Sequence, residues 1–284
     1  MSHAALRVAT CQFPATADVA QNATHITTLM HQAAERGAHL VHFPEAALSG
    51  YFGSDLTTWE GYDWELLRRH TAGIQALAAR LGLWTLLGSS HWLDEEHKPT
   101  NCLYVISPSG ELVDRYDKSM LTDIDRLGYS AGVHPVTLDI RGVRCGLLIC
   151  YDVCFPEMYA RLRSLGTQVV FHSFQNAGFA EGNILDEMGH AWLRVRAADN
   201  QLWIVANNNS REHQCWPSCI ARPDGSLAAV MERGATGMLV HDFPDDTLAG
   251  WTHNDKPLRL APDETFHRGE TTTHPRQRDR RARP

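Results

Sequence analysis

The 284-residue chain holds no apolar stretch long enough to span a bilayer, which excludes a transmembrane helix. It also lacks an excess of positive charge. Its formal net charge is −7, so no global attraction draws it to nucleic acid or to an anionic membrane. The opening MSHAALRVATCQF has no basic region followed by an apolar run, and no secretory signal is expected. The seven cysteines are odd in number and show no dense framework spacing. That argues against a disulfide scaffold and for reduced thiols in a cytoplasm. The sixteen histidines are scattered, and nothing specific in their spacing supports a metal site.

What is present is a composition with 43% hydrophobic and 21% charged residues, which suits a soluble globular protein with a large core. Apolar, β-branched runs bounded by turn residues recur at 6–13, 39–43, 83–89, 101–106, 143–150, 168–174 and 202–208, and read as buried strands. Helical stripes lie between them. Ile26, Leu29, Met30 and Ala33 share one face of 19–36, which Gly37 ends. Trp64, Leu67, Ile74, Leu77, Ala78 and Leu81 share one face of 63–81, which Gly82 ends. Pro156 opens a helix that Gly166 stops. Strands alternating with helices make this an α/β protein.

The two halves also resemble each other. ERGAHLVHFPEAALSGY echoes RSLGTQVVFHSFQNAGF, aligning Gly37 with Gly166 and Val41 with Val170. LGLWTLLGSS echoes NQLWIVANNNS, aligning Trp84 with Trp203. NCLYVISPSGELVDRYDK echoes PSCIARPDGSLAAVMERG, aligning Pro108 with Pro223 and Gly110 with Gly225. Each half reads as strand, helix, strand, helix, strand, then a hairpin turned by Pro-x-Gly. The expected architecture is two similar sheets packed face to face, each covered outside by helices. The pattern holds over 1–245. Residues 246–284 form a C-terminal extension, and six arginines crowd into 268–284, a loosely attached tail or an arm at a subunit interface.

Three segments just beyond strand ends carry plausible chemistry: HFPEAALSGY with Glu45, DRYDKSML with Lys118, and GLLICYDVCFPE with Cys150. Cys150 falls on a strand–turn–helix elbow. A cation nearby would favour its thiolate, and the N–H of Tyr151 is free to donate to an oxyanion. Cys11, Cys102, Cys145, Cys215 and Cys219 read as small buried hydrophobes. Cys154, four residues past Cys150, reads as a packing residue. A thiol–disulfide pair of Cys150 and Cys154 is the competing reading. Taken singly, Glu45 would read as a helix N-terminal carboxylate and Lys118 as a solvated charge.

Taken together, these segments resemble the nitrilase superfamily, the carbon–nitrogen hydrolases. The resemblance covers about residues 5 to 240. It rests on Phe43-Pro44-Glu45 with Ser49-Gly50-Tyr51, on Tyr116-Asp117-Lys118, and on Cys150-Tyr151-Asp152 with Phe155-Pro156-Glu157. It implies a four-layer α-β-β-α sandwich, a catalytic triad of Glu45, Lys118 and Cys150, a thioester intermediate, no cofactor, and a homodimer or larger assembly. Cys-Tyr-Asp resembles the amidase and carbamoylase branches, so the implied substrate is a small amide or N-carbamoyl compound. Nitrile hydrolysis and acyl transfer on the same triad are the alternatives. Tyr51, Asp125, His172, Phe174 and Asn176 are the expected pocket residues beside Tyr151. Phe52, Trp59, Tyr62 and Trp64 either shape the entrance or belong to the core. Several positions depart from the family pattern. Met120 stands where histidine is frequent, Asp125 and Asp199 where glutamate is usual, and Pro217 where glycine is.

Overall fold

The structure is a computed structural model that describes residues 6–179 and 182–243. The extension at 246–284, with its arginine-rich tail, lies outside the described residues. The first half runs β1 (Leu6–Gln12), α1 (Val19–Glu35), β2 (Leu40–His42), α2 (Trp64–Leu81), β3 (Trp84–His91), β4 (Thr100–Ile106) and β5 (Leu112–Asp117). A short helix α3 (Asp125–Gly128) and β6 (Thr137–Ile140) follow. The second half runs β7 (Val143–Ile149), a 3-10 turn (Cys150–Cys154), α4 (Pro156–Ser164), β8 (Val169–Phe174), α5 (Leu185–Asn200), β9 (Trp203–Asn208), β10 (Cys219–Ala221) and β11 (Leu227–Val230). Strand β12 (Gly237–Phe243) closes the described chain.

Local chemistry sets the helix ends. The Asp18 carboxylate caps α1 by accepting from the N–H groups of Ala20 and Gln21, and Asp63 caps α2 through Leu66 N–H. Gly82 ends α2 in the left-handed conformation and returns its N–H to the last turn. Helices α1 and α2 carry the chain between parallel neighbours β1, β2 and β3, and α4 and α5 do the same between β7, β8 and β9.

Two six-stranded sheets result, ordered β12-β1-β2-β3-β4-β5 and β11-β10-β9-β8-β7-β6. The order within β1–β5 is repeated in β7–β11. The registers agree with the sequence echo: Leu40 pairs with Trp84, and Val169 pairs with Trp203. The hairpin turns match as well. Gly110 N–H bonds to Ser107 C=O with φ 84°, and Gly225 N–H bonds to Arg222 C=O with φ 82°. Strands β6 and β12 fall outside the repeat, each adding antiparallel to the first strand of its half.

Strand alternation sorts the core into layers. Val8, Leu40 and Leu86 join Leu147, Phe171 and Val205 of the other sheet in one buried cluster. Ala9, Val41 and Leu87 face the opposite way and pack with Ile26, Met30, Ile74 and Leu77 of α1 and α2. Leu162 of α4 and Leu193 and Ala197 of α5 lie in the cluster of the second half. The architecture is the four-layer α-β-β-α sandwich.

Candidate active site

Glu45, Lys118 and Cys150 each stand just past a strand end, on β2, β5 and β7. The β2 turn is seated by a glycine. A Cβ on Gly88 of β3 would lie 1.8 Å from the Pro44 carbonyl oxygen, so only glycine lets the Glu45 turn dock there. Gly132 plays the same part for the lysine. A Cβ there would lie 2.1 Å from the Asp117 carbonyl oxygen, while Gly132 N–H bonds Lys118 C=O at 2.9 Å. The turns at Glu45 and Cys150 both bend through a left-handed non-glycine residue, Ala46 at φ 51° and Cys150 itself at φ 44°. Such strain persists only where the surroundings hold it, and it gathers at working sites.

The three side chains converge. Glu45 and Lys118 are buried, with Lys118 Nζ 2.8 Å from Glu45 Oε1 and 2.8 Å from Asp125 Oδ2. Glu45 Oε1 also accepts from Asn101 Nδ2 at 2.7 Å, and Oε2 from the Gln175 N–H at 2.8 Å. Asp125 accepts from Tyr51 Oη at 2.7 Å and from Thr122 N–H at 2.9 Å. Asn176 Nδ2 approaches Cys150 Sγ at 3.7 Å. Its amide is oriented by Trp216, whose indole N–H donates to Asn176 Oδ1 at 3.2 Å and so turns the NH₂ toward sulfur.

Burial and charge set the protonation states. Burial raises Glu45; the charge and hydrogen bonds of Lys118 oppose that, and Asp125 adds to it. Burial alone would lower Lys118, but Glu45, Cys150, Tyr51 and Asp125 outweigh it and hold the ammonium charged. Asp125 is lowered, because the Lys118 cation and its hydrogen bonds overcome burial. Burial raises the Cys150 thiol well above its usual range, and the Glu45 charge raises it further. At neutral pH the resting sulfur therefore keeps its proton beside a carboxylate able to take it.

Asp152 ties the nucleophile elbow to the lysine strand. Its carboxylate accepts from Ile149 N–H at 2.8 Å, Tyr116 Oη at 2.8 Å and Met120 N–H at 3.0 Å. Tyr116 and Met120 flank Lys118, so one buried carboxylate fixes both sides of the site. Burial raises it to about 6 against those hydrogen bonds. The position of Met120, histidine in many relatives of the pattern, serves here through its backbone.

A cavity of about 390 Å³ opens over Cys150, lined among others by Tyr51, Tyr151, Phe174 and Asn176. Glu45, Lys118 and Asp125 lie below its floor. His172 does not line it. It is buried with its Nδ1 2.6 Å from Tyr159 Oη and its ring stacked on Phe174 at 4.1 Å. Cys154 lines the same cavity as Cys150, and both thiols are free. Phe52, Trp59, Tyr62 and Trp64 do not reach the cavity; with Tyr129 they form an aromatic cluster behind Tyr51. A second hollow, of about 420 Å³ around Arg211 and Arg233, contains none of the three convergent side chains. Among the described residues no group of three or more histidine, cysteine or acidic side chains could hold a metal ion.

Sequence reasoning missed Asn101, Gln175 and the role of Asp152. Asn101 and Gln175 act at the sheet edge where Glu45 emerges, and neither belongs to a local motif. A polar residue at the start of the apolar run NCLYVI was the one available signal for Asn101.

The carbon-nitrogen hydrolase family model matches residues 7–252. A hydrolase from Pseudomonas protegens, described as "Hydrolase in pqqF 5'region", is 31% identical over 237 residues, 79% of this chain and 78% of that protein. The human deaminated glutathione amidase is 28% identical over 251 residues, 80% of this chain and 73% of its own length. Among solved structures, a mutant of the amidase from Nesterenkonia sp. AN1 superposes with a TM-score of 0.75 at 23% identity, covering 86% of this chain and 93% of that one. That structure shows covalent addition of the acetamide moiety of fluoroacetamide at its active-site cysteine.

Proposed function

Because the chain belongs to the carbon–nitrogen hydrolase family, we propose that it hydrolyses a small amide by nucleophilic catalysis on Cys150. The observation that carries this reading is the buried contact of Glu45 and Lys118 at the floor of the cavity that exposes the Cys150 sulfur. Glu45 takes the thiol proton as the sulfur attacks the amide carbon. The developing oxyanion receives hydrogen bonds from the Lys118 ammonium and the Tyr151 N–H; one such donor is typically worth ~3 kcal/mol. Glu45 returns the proton to nitrogen, the C–N bond breaks, and ammonia or an amine leaves a thioester on Cys150. Water then gives a proton to Glu45 and attacks the thioester; the C–S bond breaks, the acid departs, and the sulfur recovers its proton. Asp125 and Tyr51 hold the ammonium in place, and Asn176 steers the sulfur side.

The seven free thiols support a reducing, cytoplasmic setting. No described helix is long and apolar enough to cross a membrane. The family resemblance supports a homodimer or a larger homo-oligomer.

The test is ammonia release from a panel of amides, carbamoyl compounds and nitriles, with intact mass recorded during single turnover. Amides should be the accepted class, the acyl adduct should sit on Cys150, and Cys150→Ala should be inactive. Wild-type turnover by Cys150→Ala, or an adduct confined to Cys154, would overturn Cys150 as the nucleophile, whereas a reversible Cys150–Cys154 disulfide without acylation would favour the thiol-pair reading.

A further inference from the structure

We infer that the acyl part of the substrate is uncharged and apolar, and that the face of α5 bearing Leu185 and Trp192 selects for it. This rests on the amidase reading of Cys150.

The wall over the sulfur is built from Ile124, Tyr151, Val153, Phe174, Leu185 and Trp192. The polar side chains that join them are neutral: Ser54, Thr122, Gln175 and Asn176. Among the described lining residues none carries a formal charge. The three charged groups of the site already satisfy one another beneath the floor, since both carboxylates share the single ammonium. A substrate carboxylate entering this space would lose water and meet no cation among the lining residues, because Arg211, which stands against Gly178, is paired with Asp55, and Lys118 is paired with Glu45 and Asp125; that is costly for an ion. An alkyl or aryl group would bury its surface against the wall.

The wall is fixed by packing. Leu185, Gly189 and Trp192 recur at helical spacing and share one face of α5. A Cβ on Gly189 would lie 2.1 Å from the Trp216 indole, so α5 rests on that ring. Trp216 is itself buried against Phe174, with ring centroids 4.7 Å apart, and holds the Asn176 amide. The packing that aims Asn176 at the sulfur therefore also sets the height of the apolar wall. Ile124 stands at the rim, 49% exposed, and leans over Gly53, where a Cβ would come within 2.3 Å of its Cγ2.

The decisive comparison is hexanamide against the monoamide of adipic acid, equal in length but ending in a methyl group or a carboxylate. The full-length enzyme should show kcat/KM for hexanamide higher by about 100-fold or more, since a charge left unpaired on burial is strongly disfavoured. Ile124→Arg places a cation at an exposed rim position and should narrow that ratio by at least about tenfold, through a lower KM for the acid. Equal or better turnover of the acid by the wild-type enzyme, with Cys150→Ala inactive on both, overturns the inference and leaves the amidase reading standing. Failure of both amides to release ammonia and to acylate Cys150 overturns both. Should Ile124→Arg not fold, the wild-type ratio still decides.

Discussion

At the scale of single residues, the site turns on which group holds the proton. The Cys150 thiol is raised by burial and by Glu45, so attack depends on an ionised Glu45 rather than on a standing thiolate. Glu45 is raised from the ordinary glutamate value of 4.5 by burial and by Asp125. Its protonation as the pH falls removes the base, so kcat/KM should decline on the acid side with a midpoint above 4.5. Asp125 is lowered and stays ionised across that range, so the limb belongs to Glu45. Glu45→Gln should lower kcat by roughly 10²–10⁴, the usual worth of a positioned acid–base group, and abolish the limb in whatever activity remains. An unchanged acid limb in Glu45→Gln would remove Glu45 from the role of base.

At the scale of elements, three strand ends must be brought to one edge within hydrogen-bonding distance, and glycines at close approaches do this. Gly88→Ala would press a methyl group onto the Pro44 carbonyl at 1.8 Å. Because the obstacle is backbone, either β3 or the Glu45 turn has to shift. The expected loss is about 1–3 kcal/mol or more of stability, read by urea denaturation, with a fall in kcat in the protein that still folds. Wild-type stability and rate in the Gly88→Ala protein would show that the turn does not depend on this approach. The strands, the repeat and the three convergent residues were legible because each leaves a local mark: an apolar run, a matched Gly or Trp, a polar residue at a strand end. Partners such as Asn101 and the Gln175 N–H were not legible. They meet Glu45 through sheet order and register, which one strand's pattern does not encode. The same holds for Leu185 and Trp192, whose direction depends on where Gly189 lets α5 settle.

For the whole molecule, the defining feature is the joint between two similar sheets, and that joint contains histidine. His42 is buried between them, with Nδ1 3.0 Å from Thr10 Oγ1 on its own sheet and Nε2 2.8 Å from Ser173 Oγ on the other. Its ring meets Phe171 edge-on at 5.2 Å. Burial lowers its pKa from 6.5 to about 3, and His172 is lowered in the same way. For a depressed histidine the unfolded chain binds the proton first. The contribution to stability is therefore complete above 6.5 and is lost as the pH falls from there through about 3. Asp152, raised from 3.8 to about 6, acts in the opposite direction over part of this range, so the total slope mixes several groups. The difference between two proteins isolates one of them. His42→Gln retains polar atoms near both hydroxyls and has no proton to gain. Its unfolding free energy, from urea titrations at pH 6, 5 and 4, should depend on pH less steeply than that of the wild type by about 1.4 kcal/mol per pH unit. Parallel curves for the two proteins would mean that His42 is already protonated in the folded state, and that acid does not open the sandwich at this joint.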